Sequence, residues 1–116
     1  MTPDKVKESY RRGRLSHVYV RRYTGGGTNR PRFDWPARAR IEAMRPNEIV
    51  AGSAIQQGDR KVILLVEDLI NHQFPLPLTS NDNIVIRGKE VTIIALDDNT
   101  RRVDDELIAY DLVVRG

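Results

Sequence analysis

Between Ala37 and Met44 the chain alternates Ala37, Ala39, Ile41 and Ala43 with Arg38, Arg40, Glu42 and Met44. In an extended backbone this puts small apolar side chains on one face and mostly charged ones on the other. A period of two is incompatible with a helix and calls for a sheet that is buried on one side and wet on the other. The same signal recurs before and after. Val18, Val20 and Arg22 alternate with Tyr19, Arg21 and Tyr23, and Lys61 to Val66 reads as a central apolar strand.

The last third adds three strands in 33 residues, the spacing of a meander. They run from Asn83 to Arg87, from Glu90 to Leu96 and from Glu106 to Arg115, separated by a turn at Gly88 and Lys89 and a polar turn from Asp97 to Asp105. In the final strand Leu107, Ala109 and Asp111 share one face and Ile108, Tyr110, Leu112 and Val114 the other, which predicts cover on both sides. Helices are few. Thr2 to Leu15 predicts a short one, with Thr2 as cap, Pro3 at the first position, Asp4 at the positive dipole end and Gly13 as stop. Its apolar face is thin, only Val6, Tyr10 and Leu15, so it must dock on a neighbouring element. Glu67 to Phe74 predicts a helical turn stopped by Pro75 and Pro77. The glycines and prolines of Thr24 to Pro36 predict a long loop, and Arg45 to Asp59 a second long connection.

The expected fold is therefore all-β: a small antiparallel barrel or sandwich of about six strands with a short N-terminal helix and long loops. At 116 residues it forms one domain, with a helical arm over 1–14 and a β core over 15–116. The chain has no cysteine, which removes disulfides, thiolate zinc sites and thiol nucleophiles together. The longest apolar run, Val62 to Val66, is far short of the roughly 20 residues that span a bilayer, and Met1 to Arg14 is charged, so no membrane partner and a cytoplasmic site of synthesis are expected. The net charge of +3 hides an asymmetry: residues 1–50 carry 12 basic and 5 acidic groups, residues 51–116 carry 7 and 11. Such a two-ended chain suits stacking against an acidic surface or a place near nucleic acid.

Templates for catalysis and ligand binding fit poorly. His17 and His72 are the only histidines and stand in different elements without metal-ligand spacing. Gly25-Gly26-Gly27-Thr28 lacks the following Gly-Lys-Ser/Thr of a phosphate loop and leads into a strand. The acidic runs Asp97-Asp98-Asn99 and Asp104-Asp105-Glu106 lack the regular spacing of calcium ligands and read as solvated turns. No cofactor, metal or catalytic residue is expected. What remains is an arginine-rich stretch, Arg11 to Arg40, interleaved with Tyr10, Tyr19, Tyr23, Phe33 and Trp35, which hold five of the seven aromatic side chains. Arginines among aromatic stacking faces serve single-stranded nucleic acid, and the same residue types dominate protein interfaces. Composition does not choose between them.

Several landmarks follow one another in a recognisable layout. A Gly-rich loop closes on an aromatic and basic segment, Gly25-Gly26-Gly27-Thr28 to Phe33-Asp34-Trp35, followed by the alternating strand Ala37 to Met44. A long connection through Glu48 reaches Gln56-Gln57-Gly58-Asp59-Arg60, which leads into Lys61-Val62-Ile63-Leu64. Then comes the hairpin Asn81-Asp82-Asn83-Ile84-Val85-Ile86-Arg87-Gly88-Lys89-Glu90-Val91-Thr92-Ile93. Over most of residues 15–116 this order resembles the head-closure (stopper) proteins of tailed bacteriophages, in the head-to-tail connector.

The resemblance implies a structural virion protein, not an enzyme. Copies would form a homo-oligomeric ring, on the order of six or twelve, below the portal and its adaptor. The ring would keep packaged DNA in the head and offer a surface to a tail terminator or tail tube protein. It implies a place at the head-tail junction of the virion, after assembly in the host cytoplasm, with neighbouring subunits burying strand edges and charged flanks. Arg21, Arg22, Arg38 and Arg40 are expected to meet an acidic partner or DNA in the channel, with Arg30, Arg32, Trp35, Gln56 and Gln57 as further interaction residues. The connection Arg45 to Asp59 or the loop Thr24 to Pro36 is expected to reach a neighbour or the lumen. The alternative, read from the arginine and aromatic set alone, is a small nucleic-acid-binding β-barrel module.

Overall fold

A computed structural model describes residues 2–25, 30–44 and 58–116. The alternation first seen at Ala37 is carried out in full. Six antiparallel strands close into a barrel in the order β1, β2, β3, β8, β5, β4, with β4 returning to β1. They are β1 (Ser16–Tyr23), β2 (Arg32–Ala43), β3 (Arg60–Leu65), β4 (Asn83–Ile86), β5 (Lys89–Asp97) and β8 (Ala109–Arg115). Two short strands, β6 (Arg102–Val103) and β7 (Glu106–Leu107), form a separate small hairpin on the β5–β8 connection.

The inward set follows the period of two. Val18 and Val20, Ala37 and Ala39, Val62 and Leu64, Ile84 and Ile86, Val91 and Ile93, and Tyr110, Leu112 and Val114 meet in one buried core. A small barrel leaves little room on its axis, and the small side chains of Ala37 and Ala39 let the larger Leu64 and Leu112 pass. One irregularity, between Ile93 and Ala95 where β5 pairs with β8, bends the wall.

Two short helices complete the described residues. Helix α1 (Pro3–Arg12) has the features its sequence predicts: Thr2 Oγ1 accepts from the Lys5 N–H, Asp4 stands in the first turn, and Arg11 and Arg12 stand in the last. Its Tyr10, with Leu15 just beyond it, packs on Ile63, Leu65 and Ala109, the outward residues of β3 and β8. That contact explains the two-sided burial expected of β8. Helix α2 (Val66–Asn71) leaves β3 at one end of the barrel, and the segment after it turns Phe74 and Leu78 into the core to plug that end. The Leu78 N–H donates to the buried Tyr110 hydroxyl at 3.2 Å.

The handover from β3 to α2 shapes β2. Strand β3 pairs with β2 only from Ala39 to Ala43. Where the next β3 residue would have paired, the Asp68 carboxylate of α2 accepts the Arg38 N–H at 2.8 Å. Nothing in β3 or α2 continues this ladder toward the start of β2, while β4 reaches β1 only between Val18 and Arg21. The ends of β1 and β2 therefore project from the barrel as a two-stranded ribbon. Arg22 faces Phe33, Tyr23 faces Arg32, and the Thr24 N–H donates to the Pro31 carbonyl at 3.0 Å.

Three expectations change. The loop predicted over Thr24 to Pro36 ends earlier, because Arg32 to Pro36 belong to β2. Pro36 is tolerated there because, two residues from Arg38, it faces away from β1 and has no ladder donor to lose. The polar turn Asp97 to Asp105 contains β6, and the last strand is divided at Ile108 into β7 and β8, whose carbonyl and N–H go to Val66 and Arg101. The closed barrel pairs each of its six strands on both sides, as one of the two expected architectures requires. Among the described residues, unpaired edges remain on the ribbon and on the β6–β7 hairpin.

Candidate interaction surface

The ribbon and the barrel wall beside it hold most of the arginines singled out from the sequence, but in two different states. Arg21 points outward from β1 and makes a bidentate pair with Asp34, at 2.9 and 3.1 Å, and a third bond to Glu90 at 2.8 Å. Glu90 also accepts from the Tyr23 hydroxyl at 2.6 Å. The Arg21 hydrogen bond, reinforced by the arginine's charge, lowers the Asp34 pKa against the opposing effect of burial, and the Tyr23 and Arg21 bonds do the same for Glu90.

Arg22 lies on the inward face. It grips the buried Asp82 at 2.7 and 2.8 Å, donates to the carbonyls of Pro75 and Pro77, and lies over the Phe74 ring at 4.6 Å. It fastens the plug segment to the barrel mouth. Arg38 donates from Nε and Nη2 to Asp68 and reaches Glu67, which is also held by Arg11. Burial pushes the Asp68 pKa up, and the side-chain and backbone hydrogen bonds from Arg38 more than reverse this, leaving it lowered. Arg40 lies 5.8 Å over the Tyr10 ring and helps seat α1. Of the four arginines expected to meet an acidic partner or DNA, Arg21, Arg22 and Arg38 thus donate to groups within the chain and Arg40 is stacked on α1.

Arg30 and Arg32 differ. Both are exposed, and neither forms a hydrogen bond or close ion pair among the described residues. Arg30 stacks over Tyr23 at 4.7 Å, and the charge of Arg32 reaches Asp34 and Glu90 only through space. Next to them Phe33 is 50% exposed, Trp35 is half-buried beside it with ring centroids 6.2 Å apart, and Trp35 meets Phe74 edge-on at 4.9 Å. An aromatic ladder thus runs from the core plug to the ribbon surface, bordered by two guanidinium groups with donors to spare. Gln56 and Gln57, with most of the connection Arg45 to Asp59, lie outside the described residues, as do Gly26 to Asn29.

Two features escape sequence reading. His17 and His72, far apart in the chain, line one open cavity of about 130 Å³ with Pro36, Ala37, Arg38 and Asp68. The Asp68 carboxylate there is committed to Arg38, and no group of three or more metal-binding side chains occurs among the described residues. On the far wall, an open cleft of about 240 Å³ is lined by Met44, Lys61, Ala95, Leu96, Asp97, Asp111 and Val113. The acidic turns adjoin it. Asp97 is occupied in holding its own turn, through Asn99 and Thr100. Arg102 ties the carbonyls of Asp98 and Asp105 together at 2.8 Å each. The carboxylates of Asp98, Asp104 and Asp105 have no hydrogen-bond or ion-pair partner among the described residues. Only the fold could show that these groups cluster. Comparison of the chain with models of protein families, with characterised proteins and with solved structures finds no match.

Proposed function

We propose that this chain is a building block of the head-to-tail connector of a tailed bacteriophage, a stopper-type protein whose copies form a ring below the portal and adaptor. The ring closes the DNA-filled head and presents the surface on which a tail terminator or tail tube protein seats. The observation that carries this reading, beside the sequence layout, is the division of labour in the molecule. A closed barrel pairs its strands and ties down most of its arginines, so it is a rigid block. The β1–β2 ribbon keeps unpaired backbone, exposed aromatic surface and uncommitted positive charge together at one end. Contacts between blocks in a ring are steric and electrostatic, each weak at exposed sites, and repetition around the ring multiplies them.

The test is removal of the gene from the virus that encodes it. The expected result is heads that fill and then lose their DNA, together with unattached tails. Tailed, infectious particles formed at the normal yield would refute the proposal. The stacking of Arg30 on Tyr23 beside exposed Phe33 also favours a second reading, a module for single-stranded nucleic acid. That reading predicts oligonucleotide binding by the isolated chain with a steep salt dependence, a slope of log affinity against log salt of about −0.7 for each phosphate neutralised.

A further inference from the structure

The ribbon and the acidic cleft occupy opposite walls of the same barrel. Around the closed sheet β5 lies three strands from β2, and β8 three strands from β1. Because all six strands are antiparallel, the β1–β2 ribbon and the β5–β8 connection emerge at the same end. The ribbon on one wall thus carries Arg30 and Arg32 on one face and Phe33 on the other, since neighbouring residues of β2 alternate. The other wall carries Asp98, Asp104 and Asp105 in the β5–β8 connection and a cleft lined by Ala95, Leu96 and Val113 with Lys61, Asp97 and Asp111. The two surfaces are complementary in charge, and the aromatic projection of one matches the concavity of the other. Between residues 97 and 111 the chain holds six acidic and two basic groups, so the β5–β8 connection is a local acidic patch on a wall that also carries α1 and Lys61.

From this we infer that the ribbon of one copy docks on the β5–β8 cleft of the next. The ribbon enters edge-on, so that Phe33 on one face meets the apolar lining of the cleft while Arg30 and Arg32 on the other face meet the Asp98, Asp104 and Asp105 carboxylates. Arginine and aromatic anchors surrounded by polar rims are the pattern of energetic centres in protein interfaces. The contact is heterologous, since the two patches differ, and a heterologous contact repeats from copy to copy until it closes a ring or runs on as a filament. The partner is a second copy of this chain. The backbone edge of Arg32 and Asp34, facing away from β1 and beyond the reach of β3, has no ladder partner among the described residues and can add hydrogen bonds at the same place. The inference rests on the ring reading above and specifies which surfaces make the ring.

The test uses the full chain in sedimentation velocity over a concentration series at low salt. The unaltered chain should associate, and moderate salt should weaken that association about ten-fold or more, as expected for contacts between charged rims. A ribbon variant, Arg30→Glu with Arg32→Glu, and a cleft variant, Asp98→Lys with Asp104→Lys, should each remain monomeric. Mixed in equal amounts they should associate again, because each reversed surface then meets its complement. Phe33→Ser, which leaves the charges alone, should also weaken association. Self-association unchanged by these substitutions, or a mixture that stays monomeric, would overturn the contact while leaving the ring reading to the particle test. An unaltered chain that stays monomeric but binds short oligonucleotides through Arg30 and Arg32 would assign the ribbon to nucleic acid and overturn it as well.

Discussion

Arginines close together in the sequence have opposite roles in the fold, and the difference is energetic. Arg22 compensates Asp82, whose side chain is only 3% exposed, and removing one partner of a buried pair leaves an unsolvated charge. Arg22→Ala should therefore destabilise the chain by about 3 kcal/mol in urea denaturation. Arg32→Ala, which removes an exposed group without a direct partner, should stay within about 0.5 kcal/mol. Equal effects of the two would contradict the assignment of Arg22 to the core plug and Arg32 to an outer surface. The sequence shows why such positions are attractive but not which are spent. The partners of Arg22 and Arg38 lie 60 and 30 residues away, and only barrel closure brings them near. The same holds for His17 and His72, whose shared cavity exists only because α2 folds back beside β2.

At the level of elements, hydrophobic periodicity is a good guide and breaker residues are a weaker one. The strands around Val20, Ala39, Leu64, Ile84, Ile93 and Leu112 and the helix capped by Thr2 follow from spacing alone. The start of β2 does not, because Pro31 and Pro36 read as loop until their edge position is known. Asp68 is a second element-level device, a side chain that replaces a missing strand residue. Asp68→Asn weakens the bonds to Arg38, and a loss of about 1–3 kcal/mol is expected, with faster amide exchange at Arg38.

The outer wall of β1, β2 and β5 should respond to acid. Asp34, Glu90 and Asp68 all have pKa values lowered from their ordinary 3.8, 4.5 and 3.8 by folding. The unfolded chain therefore binds protons first as pH falls, so their stabilisation is complete above those ordinary values and is lost as pH drops through the lower, folded ones. Thermal midpoints should hold steady from about pH 7 to about pH 5 and fall below about pH 4. In Asp34→Asn with Glu90→Gln the acid slope should be shallower. An unchanged slope would remove these carboxylates as its source.

The whole molecule is a closed barrel with a basic and aromatic ribbon on one wall and unpartnered carboxylates in the β5–β8 connection on another, and this arrangement gives the fold its proposed use. The excess of basic groups over residues 1–50 is visible in composition, yet much of it is neutralised internally, and the part left over stands on the ribbon at Arg30 and Arg32 and at Lys5 and Arg14 on and just after α1. A block of this kind acts through copies of itself held between two unlike surfaces, the portal side and the tail side. Quantitative mass spectrometry of purified, DNA-filled particles, with the portal protein as internal standard, tests this most directly. The account predicts that the chain is present in every preparation at a fixed small-integer ratio to the portal, consistent with one ring per particle. Its absence from such particles, or a ratio that varies freely from one preparation to the next, would contradict it.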